Sequence, residues 1–542
     1  MKENLFFLLA ILILSSCSKG TKLKVIDSKN LTVSHLLKNV KTIKNWHLKD
    51  IQLDSIPGIS LERAYDSILT NKTPKEKIIV AVLDGEIDIE HEFLKTKIWT
   101  NINEISNNNI DDDGNGYIDD VHGWNFLGNE KGEKSKYVNF EVTRILRNIN
   151  PYFDINDTLS ITNSQQFNSY QKKIIHKYAE LYIKYMAEKE NFDSLYSIYF
   201  GAKDKFNKHF IDKPYNLKEM DSLYDSKIVD IPEYEYSVLY DCIKYEIDDS
   251  YVIRQKEHTD EIINKMLNLE YDDRIIQGDN SEDLQDISYG NSIVNGHINF
   301  MTHATKMAGI IANISLNNEI EIMSLPISAY GDEHDKDIAL AIRYAVDNGA
   351  KVINMSFYKE FSLHKEWVFD AFKYAADNDV LIVGIAGNDN SNLNEINYIY
   401  PNDNENNDKE VSNNFVMLGA SSYSLKKDLL CDFSSYGNKD VDLFAPGTDI
   451  YTTLPNNEYT NTSNGTSSAA AITSGVAALI RSYYPSLSAS QVKHTLMNSG
   501  VEYTFDVKVG DTLMPFNTLS KSGKILNAYN AMIMADSISR AN

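Results

Sequence analysis

Residues 335–357 read DKDIALAIRYAVDNGAKVINMSF. The first fifteen space their apolar residues as an amphipathic helix does. Gly349 then marks a turn, and the apolar run up to Phe357 reads as a buried strand. The same unit recurs on both sides. KIIVAVLD (77–84), EIMSLPIS (321–328), VLIVGIAGN (380–388) and NFVMLGAS (414–421) read as further buried strands, and HKEWVFDAFKYAADN (364–378) as another helix. Strands alternating with helices predict an α/β fold, a parallel sheet with helices on both faces.

The chain around this core has 542 residues, of which 42% are hydrophobic and 24% charged, an ordinary globular balance. Its formal net charge of −24 repels nucleic acid and anionic membranes at long range, so nucleic acid is not expected as a partner. Lys2, the ten-residue apolar run Leu5–Leu14 and LSSC at 14–17 form a signal of the bacterial lipoprotein kind. Cleavage before Cys17 and lipid on its thiol are expected, which places the protein outside the cytoplasm, anchored in the cell envelope. No later stretch has 18 unbroken apolar residues. Cys242 and Cys431 are too few for a disulfide framework, and the sequence leaves open whether they pair. There is no CxxC or HExxH, so no zinc site is expected, and no organic cofactor.

Residues 131–289 have another texture. They hold three glycines in 159 residues and 17 of the chain's 33 tyrosines. Phe167, Tyr170, Ile174, Tyr178, Leu181 and Tyr185 make one apolar helical stripe. TDEIINKMLNLE (259–270) reads as a second helix capped by Thr259 or Asp260. The segment is predicted to be a mainly helical insertion.

Four polar residues stand at ends of the core elements. Asp84 closes a strand, where α/β proteins place their ligands. His303, in FMTHATKMAGIIAN, falls at the first turn of a small-residue helix. Asn388 follows a strand, where its amide can donate to a developing oxyanion. Ser467, in TSNGTSSAAAITSGVAALI (462–480), sits where a loop becomes a buried helix. Each taken alone has a plain structural reading: a turn cap, a structural histidine, an Asx turn, a packing serine.

Together and in this order they resemble the subtilisin-like serine protease family, the subtilases. VAVLDGEIDIEH, HATKMAGIIA, KVINMSF, IAGND and NGTSSAAAITSG are similar to five of its motifs, with FSSYG and DLFAPGTDI between the last two. The resemblance implies a serine endopeptidase acting on peptide or protein substrates through an acyl-enzyme. Ser467 would be nucleophile, His303 base, Asp84 its orienting partner and Asn388 an oxyanion donor. Ser356, Phe357, Tyr358, Ala386 and Gly387 would line the substrate. The alternative is an inactive subtilase-like lipoprotein that binds peptides or partners. Departures from the family pattern are Ala304, Lys306, Gly85–Glu86, Tyr358, and the absence of Pro and His from 468–474. Tyr358 is positioned to crowd the substrate edge. Glu86 would raise the pKa of the base if it pointed inward.

DDDGNGYIDDVH (111–122) places Asp111, Asp113, Asn115, the Tyr117 carbonyl and Asp119 as in the first part of an EF-hand loop, with His122 where the last Glu would stand. Five carboxylates in ten residues repel one another without a cation, so structural calcium is expected. The expected organisation is a signal (1–17), a tether (18–45), a catalytic domain (46–130 and 290–510), the helical insertion (131–289) and a C-terminal segment (511–542). The tether is too short for a folded inhibitory propeptide. Asp84 and His303 are 219 residues apart, so the insertion hangs between two catalytic elements as lid, docking module or plug. A separable lid implies that its removal spares the cleavage of small peptides. Cleavage preference and oligomeric state are not legible.

Overall fold

A run such as IIVAVLD has no polar face to turn to water, so it is stable only when covered on both sides. The structure is a computed structural model that describes residues 24–26, 43–151, 153–157, 167–210, 215–296, 298–395, 399–405 and 409–541. The strands β1 (Ile78–Asp84), β2 (Ile320–Pro326), β3 (Val352–Met355), β4 (Leu381–Ile385), β5 (Phe415–Ser421), β6 (Leu443–Pro446), β7 (Val501–Glu502) and β8 (Lys524–Ile525) form one sheet. Their order is β7-β8-β6-β5-β4-β3-β1-β2, and only the β7–β8 pair is antiparallel. All five expected strands are present. The third and fourth are trimmed beside glycines at positive φ, Gly349 (80°) and Gly387 (93°).

The chain leaves β1 for β2 on one side and returns to β3 on the other, so strand order reverses between β1 and β3. The crevice outside the carboxyl ends at such a switch point is where open α/β sheets bind ligands. Asp84 ends β1, Ser356 follows β3 and Asn388 lies just beyond β4.

Eleven helices matter here: α1 (Glu141–Ile149), α2 (Ser169–Asn207), α3 (Leu217–Asp225), α4 (Glu233–Lys244), α5 (Asp249–Glu261), α6 (Ile298–Ile314), α7 (Asp335–Asp347), α8 (Lys365–Asp377), α9 (Thr466–Tyr483), α10 (Ala489–Ser499) and α11 (Ala528–Ala541). Every residue of α9 is buried, and it packs on β1 and on β3 to β6. Its small residues make that possible. A Cβ on Gly475 would meet Ile314 Cγ1 at 2.6 Å, so α9 and α6 touch almost backbone to backbone.

Residues 131–289 are mainly helical, as expected, and build two apolar clusters, the first of which also takes in Phe361. One gathers Val142, Ile145 and Leu146 of α1 with Ile174, Ile175 and Tyr178 of α2; the other gathers Tyr199 and Phe206 of α2 with Met220, Leu239 and Val252. At 39 residues, α2 is about 58 Å long and serves both clusters. The second expected helix begins ten residues earlier than Thr259. Asp248 is its cap, accepting the Tyr251 N–H, while Thr259 is buried inside α5 with its hydroxyl on the Gln255 and Lys256 carbonyls. A side chain that can turn back on its own helix does not mark a start.

Residues outside the expected catalytic domain also join the fold. In the 18–45 stretch, Ile26 is buried and exchanges hydrogen bonds with Asn530 of α11 (2.9 and 3.1 Å). Beyond 510, β8 fills the place between β7 and β6. Cys242 and Cys431 are buried free thiols. Cys17 lies outside the described residues. Among those described, no helix is long and apolar enough to cross a membrane.

Candidate active site

Asp84 is held from both sides of its peptide. Its carbonyl accepts the N–H groups of Ile327 (2.8 Å) and Ser328 (3.1 Å), and its carboxylate accepts that of Gly85 (2.7 Å). A Cβ on Gly85 would lie 2.7 Å from the Phe300 carbonyl, so only glycine lets α6 come this close. That approach brings His303 onto Asp84. Nδ1 lies 2.9 Å from Oδ1 and 2.8 Å from Oδ2. A carboxylate only accepts, so Nδ1 carries the proton and Nε2 is left as the basic nitrogen. His303 is the sixth residue of α6, in its second turn rather than its first, because the helix begins at Ile298. Desolvation by the surrounding protein pulls its pKa down, although the side chain is still about half exposed, but the Asp84 carboxylate outweighs it and the net shift is upward; Lys306 opposes and Glu333 assists.

Glu86 does not point inward. Its buried carboxylate is taken by Lys134 and Asn125. The second carboxyl acting on His303 is Glu333, which no pattern in the sequence marked. Burial pushes its pKa up to about 7, against a hydrogen bond from Ser328 Oγ (2.6 Å).

Ser467 is the second residue of α9, where unpaired N–H groups face outward. Its hydroxyl donates to the Ser356 carbonyl at 3.2 Å; among the described residues no hydrogen bond joins it to His303. Asn388 is clamped the other way round. Its Oδ1 accepts the Thr466 N–H (2.9 Å) and hydroxyl (3.0 Å), which turns Nδ2 outward as a donor. Gly465, at φ 135°, lies between them. The position of a Cβ there would be 3.6 Å from Asn388 Nδ2 and 3.7 Å from the Ser467 nitrogen. Two N–H donors thus border one small space that the glycine keeps clear.

The other predicted lining residues flank this space. Ser356 and Ala386 are buried, Phe357 and Tyr358 half-buried. The Tyr358 ring lies 3.5 Å from where a Cβ of Gly387 would be, and its hydroxyl donates to Asp389 Oδ2 at 2.5 Å. It therefore ties the end of β3 to the Gly387–Asp389 stretch that follows β4.

In the acidic loop, ligand oxygens of Asp111, Asp113 and Glu104 all lie within 4.8 Å of one another. Glu104 was missed because it stands seven residues before the motif. Asp119 serves another end, accepting the N–H groups of Asn108 and Asn109 (3.1 and 3.0 Å), and Asn115 Oδ1 accepts that of Tyr117 (2.8 Å). His122 binds the Trp99 carbonyl through Nδ1 (2.8 Å), outside the group. Three converging carboxylates are a hard-oxygen set of the kind calcium takes.

The family model described as Peptidase S8, the subtilase family, matches residues 75–516. The cell wall-associated protease of Bacillus subtilis is 32% identical over 214 residues, 38% of this chain and 22% of that protein. Subtilisin DY of Bacillus licheniformis is 31% identical over 210 residues, 38% of this chain and 68% of its own length. A thermophilic serine proteinase of a Bacillus strain, AK1, is 32% identical over 267 residues, 48% of this chain and 57% of that protein. The chain thus spans well under two thirds of the first and third of these relatives.

Proposed function

The chain belongs to the subtilase family, and on that premise we propose that it is a serine endopeptidase working through Ser467, His303 and Asp84. The observation that carries this reading is the two-oxygen contact of Asp84 with His303 Nδ1 at the sheet's switch point, in a fold whose helix α9 opens with Ser467. In the reaction, Ser467 Oγ attacks the scissile carbonyl and passes its proton to His303 Nε2. The carbonyl oxygen becomes negative between Asn388 Nδ2 and the Ser467 N–H. The C–N bond then breaks, and His303 gives its proton to the leaving amine. Water, deprotonated by the same nitrogen, then attacks the ester carbonyl; the C–Oγ bond breaks, the acid leaves and His303 returns the proton to Ser467 Oγ. Asp84 holds the ring in the needed tautomer and stabilises the imidazolium.

One observation favours the inactive, peptide-binding alternative: the Ser467 hydroxyl is engaged by the Ser356 carbonyl and not by His303. Catalytic hydrogen bonds often tighten only around substrate, so this contact is compatible with activity. Covalent labelling by a fluorophosphonate probe decides. Labelling lost in Ser467→Ala is the expected result; an unlabelled, folded wild type leaves only the binding role.

Two further assignments belong to this proposal. Glu104, Asp111 and Asp113 would hold a structural calcium ion, whose charge would relieve their mutual repulsion. Lipid on Cys17 would anchor the protein in the cell envelope, outside the cytoplasm; incorporation of a fatty-acid analogue that survives Cys17→Ala would refute it.

A further inference from the structure

The three residues after the lining stretch Ser356–Tyr358 are each fastened to the helical region. Lys359 is fully buried. Its ammonium touches Asp335 Oδ1 (2.8 Å), Glu141 Oε1 (3.1 Å) and the Glu333 carbonyl (2.6 Å). Glu141 opens α1, and the same Oε1 also accepts the Leu363 N–H at 2.7 Å. Glu360 pairs with Lys177 of α2 at 2.9 Å and lies 3.9 Å from Lys173. Phe361 is buried in the cluster built from Val142 of α1 and Ile174 and Ile175 of α2.

Stability alone does not explain this arrangement. A buried ion pair costs desolvation, and apolar residues of the same volume generally serve stability as well or better. An ammonium among three acceptors from separate parts of the chain does something else: it fixes a position in three dimensions. Two of these contacts join it to the 333–335 turn, where Glu333 acts on His303, and the third joins it to α1. Three residues upstream, the Ser356 carbonyl accepts the Ser467 hydroxyl. Burial works against the ammonium's charge, but Asp335 and Glu141 outweigh it and the pKa is raised; in return, and against burial, Lys359 holds the Asp335 carboxyl down to about 2, whereas burial pushes Glu141 up to about 7, so Asp335 is the firmly charged partner.

We infer that the helical region between β1 and α6 positions the substrate-binding edge of the protease, and that Lys359 is the positioning residue through which α1 does so. The inference rests on the proposed peptidase activity. It gives the region a role other than a lid or a plug: α1 and α2 are the outer support of the strand end along which the substrate lies.

The test uses the full chain, with active sites counted by fluorophosphonate titration. For Lys359→Met, KM for an extended peptide is expected to rise roughly tenfold, as when binding shared by ground and transition states is lost. Turnover per titrated site and the labelling rate with the small phosphonate should stay within about threefold, because neither needs the edge. Lys359→Arg should restore most of the KM. Phe361→Ala removes the neighbouring contact without stranding a charge, and should move KM the same way if Lys359→Met does not fold. A fall in titre or turnover at unchanged KM, or no change in any of these, overturns the inference while the peptidase reading stands. A wild type with neither hydrolysis nor labelling overturns the reading itself, and this inference with it.

Discussion

Asp84 decides how His303 titrates. The ordinary imidazole value is near 6.5, and the net shift here is upward, because the carboxylate outweighs the partial desolvation of a half-exposed ring. The base acts in its neutral form. Activity should therefore fall as pH drops through a midpoint above 6.5, and a pH profile of kcat/KM measures it. Asp84→Asn removes the charge, so that midpoint should move down while kcat drops by roughly 10⁴. A midpoint unmoved by the substitution would mean that another group governs the acid limb, with Glu333 the first to test. Asn388 offers a second check. Its Oδ1 is spent on Thr466, so only Nδ2 is free to meet substrate oxygen. Asn388→Ala should cost about 10²–10³ in kcat with KM nearly intact; a change confined to KM would place the amide outside the oxyanion space.

At the scale of the element, the acidic loop is the test of chemistry against charge alone. Its carboxylates already accept backbone N–H groups: Asp111 from Gly114, Asn115 and Gly116, and Glu104 from Asp112, Asp113 and Asp119. That leaves the shape fixed and the repulsion unrelieved. Calcium bound only to the folded loop should raise Tm by mass action, on the order of a few degrees at saturating ion. Calorimetry with calcium and with chelator measures this, and Asp111→Asn should abolish the difference. Identical transitions in the wild type would make the loop merely acidic. The acidic spacing was legible because Asp111 and Asp113 are neighbours in sequence. Glu104 was not, because only the folded loop turns it back onto Asp111 and Asp113.

At the scale of the whole molecule, the helical region and the sheet share buried charge and apolar core. Replacing 141–267 by a short linker removes Glu141 from Lys359 and uncovers Phe361. Losing one partner of a buried pair alone costs about 3–5 kcal/mol. The deletion variant should therefore melt lower and lose activity on short peptides and intact proteins alike, and kcat/KM on both substrate classes with a melting curve checks this. Preserved cleavage of short peptides would restore the separable lid that the sequence suggested. What the sequence determined by itself was whatever local pattern encodes: the parallel α/β core, from apolar runs punctuated by glycine, and four candidate polar side chains near the ends of elements whose period could be read. What only the tertiary structure decided was which groups meet across the fold. Lys134 drawing Glu86 away, and Lys359 held between α1 and the 333–335 stretch, join residues 48 and 218 positions apart. Such contacts leave no periodicity in the chain, because each depends on the energy of burying a charge beside its partner, and that energy exists only once the surrounding surface has closed.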